Sequence, residues 1–475
     1  MTGLTPDGAL QVADKLLGRL QRRRPQVEKR QRYFRGEQPL AYASEEWRKF
    51  HGQRFAHFAD NWCGIVAKAA PERTEVFGLR LGDDPDVQSP DERDLWRDWD
   101  AVDGPAKMAQ GVLESAISST SYALVWADPA GEPLLTWETA SQAVVDRDPE
   151  TGATRYGLKA WADEDTEFLT LYTPDELWKF ERARGGLRPS GIYLPEQLSG
   201  GWSRRAEGVV RNPFGVVPLV EFPNRPLLDG GPVSDIEGTM AMQDAANLMW
   251  AYLFGAADYA SMPARVVMGQ EPPKVPVLDK DGRKVGEKAV DIEALTRGRM
   301  LWLTGQDTKI GAWEAAKLDV FTDVINVMVK HIASQTQTPI RYIMGELGNV
   351  NGDTVQATDF PLATKVRQGH KHLTGPTRQL FRLLALVRGQ DTVAEACRTA
   401  VVQWRNPETM QDAQISDAAS KDAAIGWPFA AVLERRYGLS QPEIQRVMAQ
   451  REAEALDPIL SGILKGVGDD ARLGA

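Results

Sequence analysis

The sequence predicts an α+β protein built from two to four structural units. Three observations carry this expectation. Short segments of apolar–polar alternation, separated by turn residues, follow one another through residues 121–182. Two strongly apolar helical segments, 234–259 and 317–337, bracket a stretch broken by Pro263, Pro272, Pro273 and Pro276 that reads as a small β module. The strands follow one another without the βαβ rhythm of a nucleotide-binding sheet, and 475 residues exceed what one compact core usually accommodates.

The first helix spans 8–35, where Leu10, Ala13, Leu16, Leu17 and Leu20 recur at helical spacing and Gly36 stands as its cap. Its basic residues Arg22, Arg23, Arg24, Lys29, Arg30 and Arg32 read as a solvated face, with a nucleic-acid or scaffold contact as the alternative. Residues 58–70 form a helix closed by Pro71, and 74–81 alternate as a strand. Helices follow at 95–99 and 106–118, with Asp91, Glu92 and Asp94 as helix-start charges. Strands are expected at 121–128, 133–139, 142–146, 156–162, 167–173, 177–182 and 216–222, and residues 223–232 form a boundary rich in Pro and Gly.

Ser234 or Asp235 caps the helix 234–259, with Glu237 in its first turn. Ile236, Met240, Met242, Ala246, Met249, Leu253 and Ala257 give it a broad apolar face, which buries it in a core or between subunits. The methionines read as packing residues, not as a ligand groove. In the β module, strands are expected at 264–268, 274–278, 284–286 and 300–303. Residues 279–282 form a hairpin turn, because Arg283 and Lys284 stand where a calcium loop needs further oxygen ligands. In 317–337, Leu318, Phe321, Val324, Ile325, Met328, Val329 and Ile332 step by three and four, and Thr338-Pro339 ends the helix.

Residues 345–353 (GELGNVNGD) are polar and glycine-rich, an exposed loop. A helical run over 354–388 follows, imperfect at Pro361 and broken at Gly375-Pro376. A strand at 399–404 precedes helical runs at 409–425, 427–437, 441–455 and 458–464, and residues 466–475 are expected to lack structure.

The net charge is −10 and the pI about 5.3. A global excess of Lys and Arg, the mark of a chain that grips duplex phosphates, is lacking. An acidic lining would instead repel phosphate and let DNA slide past. Two cysteines, Cys63 and Cys397, make no disulfide framework and fit a reducing compartment. The N-terminal MTGLTPDGAL lacks the signal-peptide pattern, and the longest apolar run, 248–257, is roughly half of what a bilayer span needs. No membrane segment is expected.

No phosphate-binding loop, H-E-x-x-H, Cys/His cluster or G-x-S-x-G elbow occurs. His370 and His372 are two apart on a helix and diverge, and adjacent acids such as Glu45-Glu46 and Asp83-Asp84 read as surface. The expectation is therefore no catalytic residue, no cofactor and no metal.

Several segments in order carry a family resemblance: YFRGEQPL (33–40), NWCGIVAKAAPERTEVFGLRL (61–81), NPFGVVPLVEFPNRP (212–226), SDIEGTMAMQDAANLMWAYL (234–253) and NGDTVQATDFPLATKV (351–366). With these the chain resembles the portal proteins of tailed bacteriophages, the siphophage type of head-to-tail connector. The resemblance implies a portal fold with wing, stem, clip and crown that assembles as a dodecameric ring at one capsid vertex, in the virion, after assembly in the bacterial host cytoplasm. Double-stranded DNA would pass through the ring during packaging and ejection. The terminase large subunit, the head–tail adaptor, the major capsid protein and scaffold would be its partners, and no membrane would be. Mapped onto this chain, the wing is 1–232, the first stem helix 233–262, the clip 263–316, the second stem helix 317–338 and the tunnel-loop region 339–356. The long wing helix is 357–390, and the crown and C-terminal helical region with a flexible tail is 391–475. Glu346, Asn349, Asn351 and Asp353 would face DNA in the loop, and Met242, Met249, Leu253, Phe321, Ile325 and Met328 would pack the stem helices into the ring. Two other readings fit the composition. A minor head protein or other morphogenesis protein would lack the helix–module–helix–loop order, and a cytosolic enzyme would show a pocket with perturbed carboxylates.

Overall fold

The computed structural model describes residues 4–41, 45, 60–82, 89–183, 201–228, 231–261, 265–268, 274–278, 283–289, 300–303, 309–312, 317–345, 352–408, 412–439 and 443–453. The chain divides into two compact units: residues 1–36, 61–240 and 333–475, and residues 37–60 and 241–332. Both helix and sheet are present throughout, as an α+β fold requires.

In the first unit, α1 (Pro6–Arg35) opens where Thr5 Oγ1 accepts the Gly8 N–H and closes at Gly36, whose φ of 73° is the left-handed cap that glycine adopts without strain. Its stripe Ala9, Ala13, Leu16, Leu17 and Leu20 is buried against a sheet face. The basic run is only partly solvated, which corrects the expectation. Arg23 donates to the Tyr122 hydroxyl (2.9 Å) and to the carbonyls of Ala140 and Ala143, and buried Arg30 pairs with Glu237 at 2.6 Å.

α2 (Trp62–Ala69) starts later than the residue-58 expectation, because Asn61 Oδ1 accepts the Gly64 N–H and caps it there. β1 (Val76–Arg80) follows, then α3 (Pro90–Ala101) and α4 (Gly104–Ser118). α3 is longer than the periodicity alone implied, since Ser89 and Glu92 form a capping box in front of it.

Eight strands come next: β2 (Thr120–Ala127), β3 (Pro133–Thr139), β4 (Ala143–Arg147), β5 (Thr154–Ala162), β6 (Thr166–Tyr172), β7 (Glu176–Ala183), β8 (Ser203–Arg211) and β9 (Leu219–Pro223). They form two antiparallel sheets, β3-β2-β9 and β4-β5-β6-β7-β8. The alternation sets the faces: Leu158 and Ala160 on β5, and Leu169 and Leu171 on β6, all turn toward α1. The strand β8 was not expected. It is a sheet edge, mostly exposed, so SRRAEGVVR carries little apolar alternation. β9 begins three residues later than expected, because Asn212 holds a turn: its amide donates to the carbonyls of Thr173 and Val216, and its Oδ1 accepts the Phe214 N–H. A two-residue hairpin, β10 (Pro226–Leu227) with β11 (Gly231–Pro232), leads on.

The next helix, α5 (Met240–Ser261), starts six residues beyond the expected 234. Ser234 and Asp235 are not its caps. The Ser234 hydroxyl donates to the Ile117 carbonyl at 2.6 Å, and Asp235 belongs to an ion cluster described below. In the second unit α5 is followed by β12 (Arg265–Met268), β13 (Lys274–Leu278), β14 (Lys284–Ala289), β15 (Met300–Leu303) and β16 (Lys309–Ala312). β13 and β14 pair antiparallel, while the expected hairpin turn at 279–282 lies outside the described residues, and β15-β12-β16 form a sheet with β12 and β15 parallel. α6 (Asp319–Thr336) follows, its last turn in the first unit.

Back in the first unit come α7 (Ile340–Met344), the 36-residue α8 (Gly352–Val387), α9 (Asp391–Ala396), β17 (Val401–Trp404), α10 (Asp412–Ala424) and α11 (Phe429–Val432). β17 pairs with β1. α8 does not break at Gly375-Pro376, which corrects the expectation. Leu373, Thr377, Leu380 and Leu384 continue one buried stripe straight through the proline. Burying each leucine stabilises by about 1.5–3 kcal/mol, enough together to offset a proline penalty of about 3 kcal/mol. Thr374 and Thr377 also donate their hydroxyls to the carbonyls of His370 and Leu373. The stripe packs into the largest core, where Phe381 meets the Trp99 ring at 5.1 Å. The expected helix at 458–464 and the tail at 466–475 lie outside the described residues.

Candidate functional site

No cluster of three or more His, Cys, Asp or Glu side chains among the described residues could hold a metal ion. Cys63 and Cys397 are buried thiols, and burial pushes Cys397 up to about 12, so it is inert at neutral pH. His370 is stacked on Trp404 at 4.6 Å, and burial with the nearby Arg367 charge lowers it to about 4, so it packs as a neutral ring. Among the described residues no helix is long and apolar enough to cross a membrane.

The first unit ties the end of α7 to the start of α8, on either side of residues 346–351. α7 stops at Gly345, whose φ is 68°, and α8 starts at Gly352. Of the four residues expected to face DNA, Glu346, Asn349 and Asn351 lie outside the described residues, and Asp353 falls in the first turn of α8. The legs on either side are pinned to one buried carboxylate. Asp359 of α8 accepts hydrogen bonds from Arg341 of α7 and from Arg73 (2.7 Å), which precedes β1. Arg73 also donates to the Tyr342 hydroxyl (2.7 Å) and the Pro407 carbonyl (3.0 Å). Burial opposes the Arg73 charge, but its hydrogen bonds to Asp359 and Tyr342 outweigh that and raise its pKa above the usual value. Below this ionic pair, Ala69, Leu362 and Val366 close a small apolar cluster against Tyr342. The sequence offered no signal for this arrangement, because Arg73 stands 286 residues from Asp359 in the chain.

A second buried node sits six residues further along α8. Lys365 Nζ lies 2.9 Å from Asp235 Oδ2 and donates to the Thr336 carbonyl at the C-terminus of α6 (3.2 Å). Asp235 Oδ1 also accepts from Asn224 and pairs with Arg225, both at 2.9 Å. The residue after Thr336, Gln337, adopts a φ of 55° and gives α6 a left-handed cap, closed by the Thr338 N–H donating to the Ala333 carbonyl.

The six residues expected to pack helices into a ring divide by burial. Leu253 and Ile325 are buried, whereas Met242, Met249, Phe321 and Met328 are half-buried. The side of α6 away from Ile325, Val329 and Ile332 exposes Val320, Val324 and Val327, at 59%, 38% and 51%. Only Val324 of these three was in the periodic set read from the sequence. α5 is less apolar than its composition implied: Gln243 and Asn247 are buried and share a 3.1 Å hydrogen bond, and Asn247 Oδ1 also accepts the Asp60 N–H. Ile340, Met344 and Phe360, at the loop base, are exposed as well.

A family model described as "Phage portal protein, SPP1 Gp6-like" matches residues 13–427. The portal protein of Mycobacterium phage D29 is 26% identical over 379 residues, which cover 75% of this chain and 71% of that protein. The portal protein of Mycobacterium phage L5 is 24% identical over 377 residues, with the same coverage. Among solved structures, a chain of the virion of a native gene transfer agent particle matches with a TM-score of 0.41 and 13% identity, over 85% of this chain and 96% of that one. A chain from the neck of the empty particle, computed with C6 symmetry, matches with a TM-score of 0.42 and 13% identity, over 83% and 96%.

Proposed function

We propose, from the premise that this chain belongs to the SPP1 Gp6-like family of phage portal proteins, that twelve copies close into the ring at one capsid vertex through which DNA is packaged and ejected. The observation that carries the ring is α6. One side of it is buried, and the other leaves Val320, Val324 and Val327 in contact with solvent. A helix with apolar residues on opposite sides buries them fully only against a second copy. A contact between this exposed side and a different surface of the next copy is head-to-tail, and it closes into a ring where the rotation between copies divides a full turn.

The compact unit that includes 241–332 supports the assignment of 233–262 and 317–338 as stem and 263–316 as clip. Of the wing, 1–232 and 357–390, the first unit supplies all but residues 37–60, and it supplies the crown from 391 onward. The segment between α7 and α8, together with the first turn of α8, is the tunnel-loop region, with Glu346, Asn349 and Asn351 from the segment and Asp353 from that turn toward DNA. Two acids and two amides there repel phosphate and make only transient hydrogen bonds, so DNA slides. The chain itself performs no catalysis on this reading. The motor is the terminase large subunit docking on the clip, the adaptor replaces it there, and capsid protein and scaffold meet the wing.

Electron microscopy of the purified full chain, with native mass determination, tests this. Rings of about twelve copies with a central hole are expected. A monomer or dimer that stays small when scaffold is added would overturn the reading.

A further inference from the structure

We propose that the C-terminal segment 458–464 of this same chain seats an apolar helix side in the cleft between β17 and α11 and closes it. The cleft has a volume of about 930 Å³ and lies wholly within the first unit. Its charged groups already have partners. Arg367 pairs with Glu408, Arg405 with Glu75 at 2.6 Å, and Arg436 with Asp422 at 2.6 Å. Glu434 pairs with Arg80 at 3.3 Å, and Arg435 lies over the Trp427 ring at 4.7 Å. The cleft therefore calls for no counter-charge, and what it leaves uncovered is apolar. Val401 and Tyr437 line it at 58% and 44% exposure, and Phe77, Trp404, Ile415 and Trp427 line it half-buried. Covering apolar surface of this kind is favourable.

The course of the chain selects the occupant. The last described residues, 443–453, are helical, and Ile444 near their start is buried. Toward their end, the Arg451 guanidinium lies over the Phe429 ring of α11 at 4.2 Å. Trp427 and Ala431, two residues to either side of Phe429, line the cleft. The chain thus leaves the described residues beside the element that forms one wall. Residues 454–475 lie outside the described residues, but their sequence is informative. In the helix expected at 458–464, Ile459, Leu460, Ile463 and Leu464 fall on one side. Asp457 stands at its cap and Pro458 at its first position. From 453 to 458 the chain extends at most roughly 17 Å, and a helix with its side chains is roughly 10–12 Å across. The link is long enough to round α11 and too short to carry the apolar side far beyond it. Such a short tether also favours the chain's own segment over that of another copy. The contact lies within one chain and does not depend on the ring.

Maleimide labelling of the full chain carrying Val401→Cys tests this, since both native cysteines are buried. Labelling is expected to be slow. It should speed up at least about tenfold when Leu460→Asp and Ile463→Asp are added, because a charge on that side opposes burial. Leu134→Cys, on β3 and 47% exposed, should label fast with or without the two charges. Circular dichroism shows whether the variants remain folded, and Leu460→Met with Ile463→Met, which keeps the side apolar, should leave labelling of Val401→Cys slow. Equal rates at Val401→Cys with and without the charges would overturn the proposal, whether fast or slow. Slow labelling that becomes fast on dilution would give the cleft to a second copy and overturn the assignment to the same chain.

Discussion

Replacing Asp359 with alanine removes the one carboxylate that both legs of the loop share. The side chain is 3% exposed and its two partners, Arg73 and Arg341, are 12% and 19% exposed, so little solvent is at hand to take over. At an effective dielectric of about 20, a single charge pair at about 2.7 Å attracts by roughly 6 kcal/mol, and desolvation cancels much of that. The measurable loss on breaking a buried pair is about 3–5 kcal/mol, because two guanidiniums are left together without a counter-charge. The contrast is Glu408→Ala, which breaks the partly exposed Arg367–Glu408 pair and should cost about 0–1 kcal/mol. Amide hydrogen exchange reports the effect locally. If the carboxylate holds the legs, exchange in 340–345 and 352–360 should accelerate by about 100-fold or more in Asp359→Ala, since each 1.4 kcal/mol is tenfold. Exchange in β5 and β6, which the node does not touch, should change far less. Leg exchange within tenfold of the parent protein, or a uniform acceleration across the first unit, would refute the idea that this carboxylate fixes the loop base.

Three further expectations concern other parts of the chain. Gln337→Gly should stabilise by about 0.5 kcal/mol in urea melts, because Gln337 is exposed and its φ of 55° is free of cost only for glycine, less the added freedom of the unfolded chain. Glu114 is raised by burial, which outweighs the hydrogen bonds from Ser118 and Gln31. Its folded-state pKa lies above the unfolded one, so its favourable contribution is complete below the unfolded value and is lost as pH rises through the folded one. Glu114→Gln should therefore stabilise at neutral pH and progressively less toward about pH 4, as thermal melts across pH would show. Val324→Asp adds a charge to the exposed side of α6, and native mass should report smaller oligomers with unchanged circular dichroism.

Much of the first unit was legible because its elements are local. α1 announced itself by a repeated apolar spacing, and β2 to β7 by alternation bounded with turn residues, since in each case one face is buried along the whole element. The misreadings share a physical cause. Ser234 and Asp235 look like helix caps, yet partners more than a hundred residues away in sequence, Ile117 and Lys365, engage their side chains. Gly375-Pro376 looks like a break, yet a buried stripe overrides it. The basic run on α1 looks solvated, yet Arg23 and Arg30 have partners in other elements. A polar residue's role depends on what the fold brings to it, and that information is not local. The candidate site was legible only as an ordering of segments, since its loop residues Glu346, Asn349 and Asn351 fall outside the described chain.

The two ionic nodes on α8 gain meaning from their spacing. Asp359 and Lys365 are six residues apart on one continuous helix, roughly 9 Å along its axis. The first node holds the legs of the loop; the second holds the C-terminus of α6 and the turn that precedes α5. Neither node is an efficient way to stabilise a core, because burying charges costs most of what pairing them returns. Their directionality is the difference: a guanidinium or an ammonium accepts only certain positions of its partner, whereas apolar packing tolerates slippage. A helix that carries both nodes keeps the loop legs and the helix ends in one register. On that argument the double replacement of Lys365 and Asp235 by methionine and leucine should leave the melting midpoint nearly unchanged while loosening exchange protection at 333–338. Equal protection in the paired apolar variant would show that packing alone sets the register.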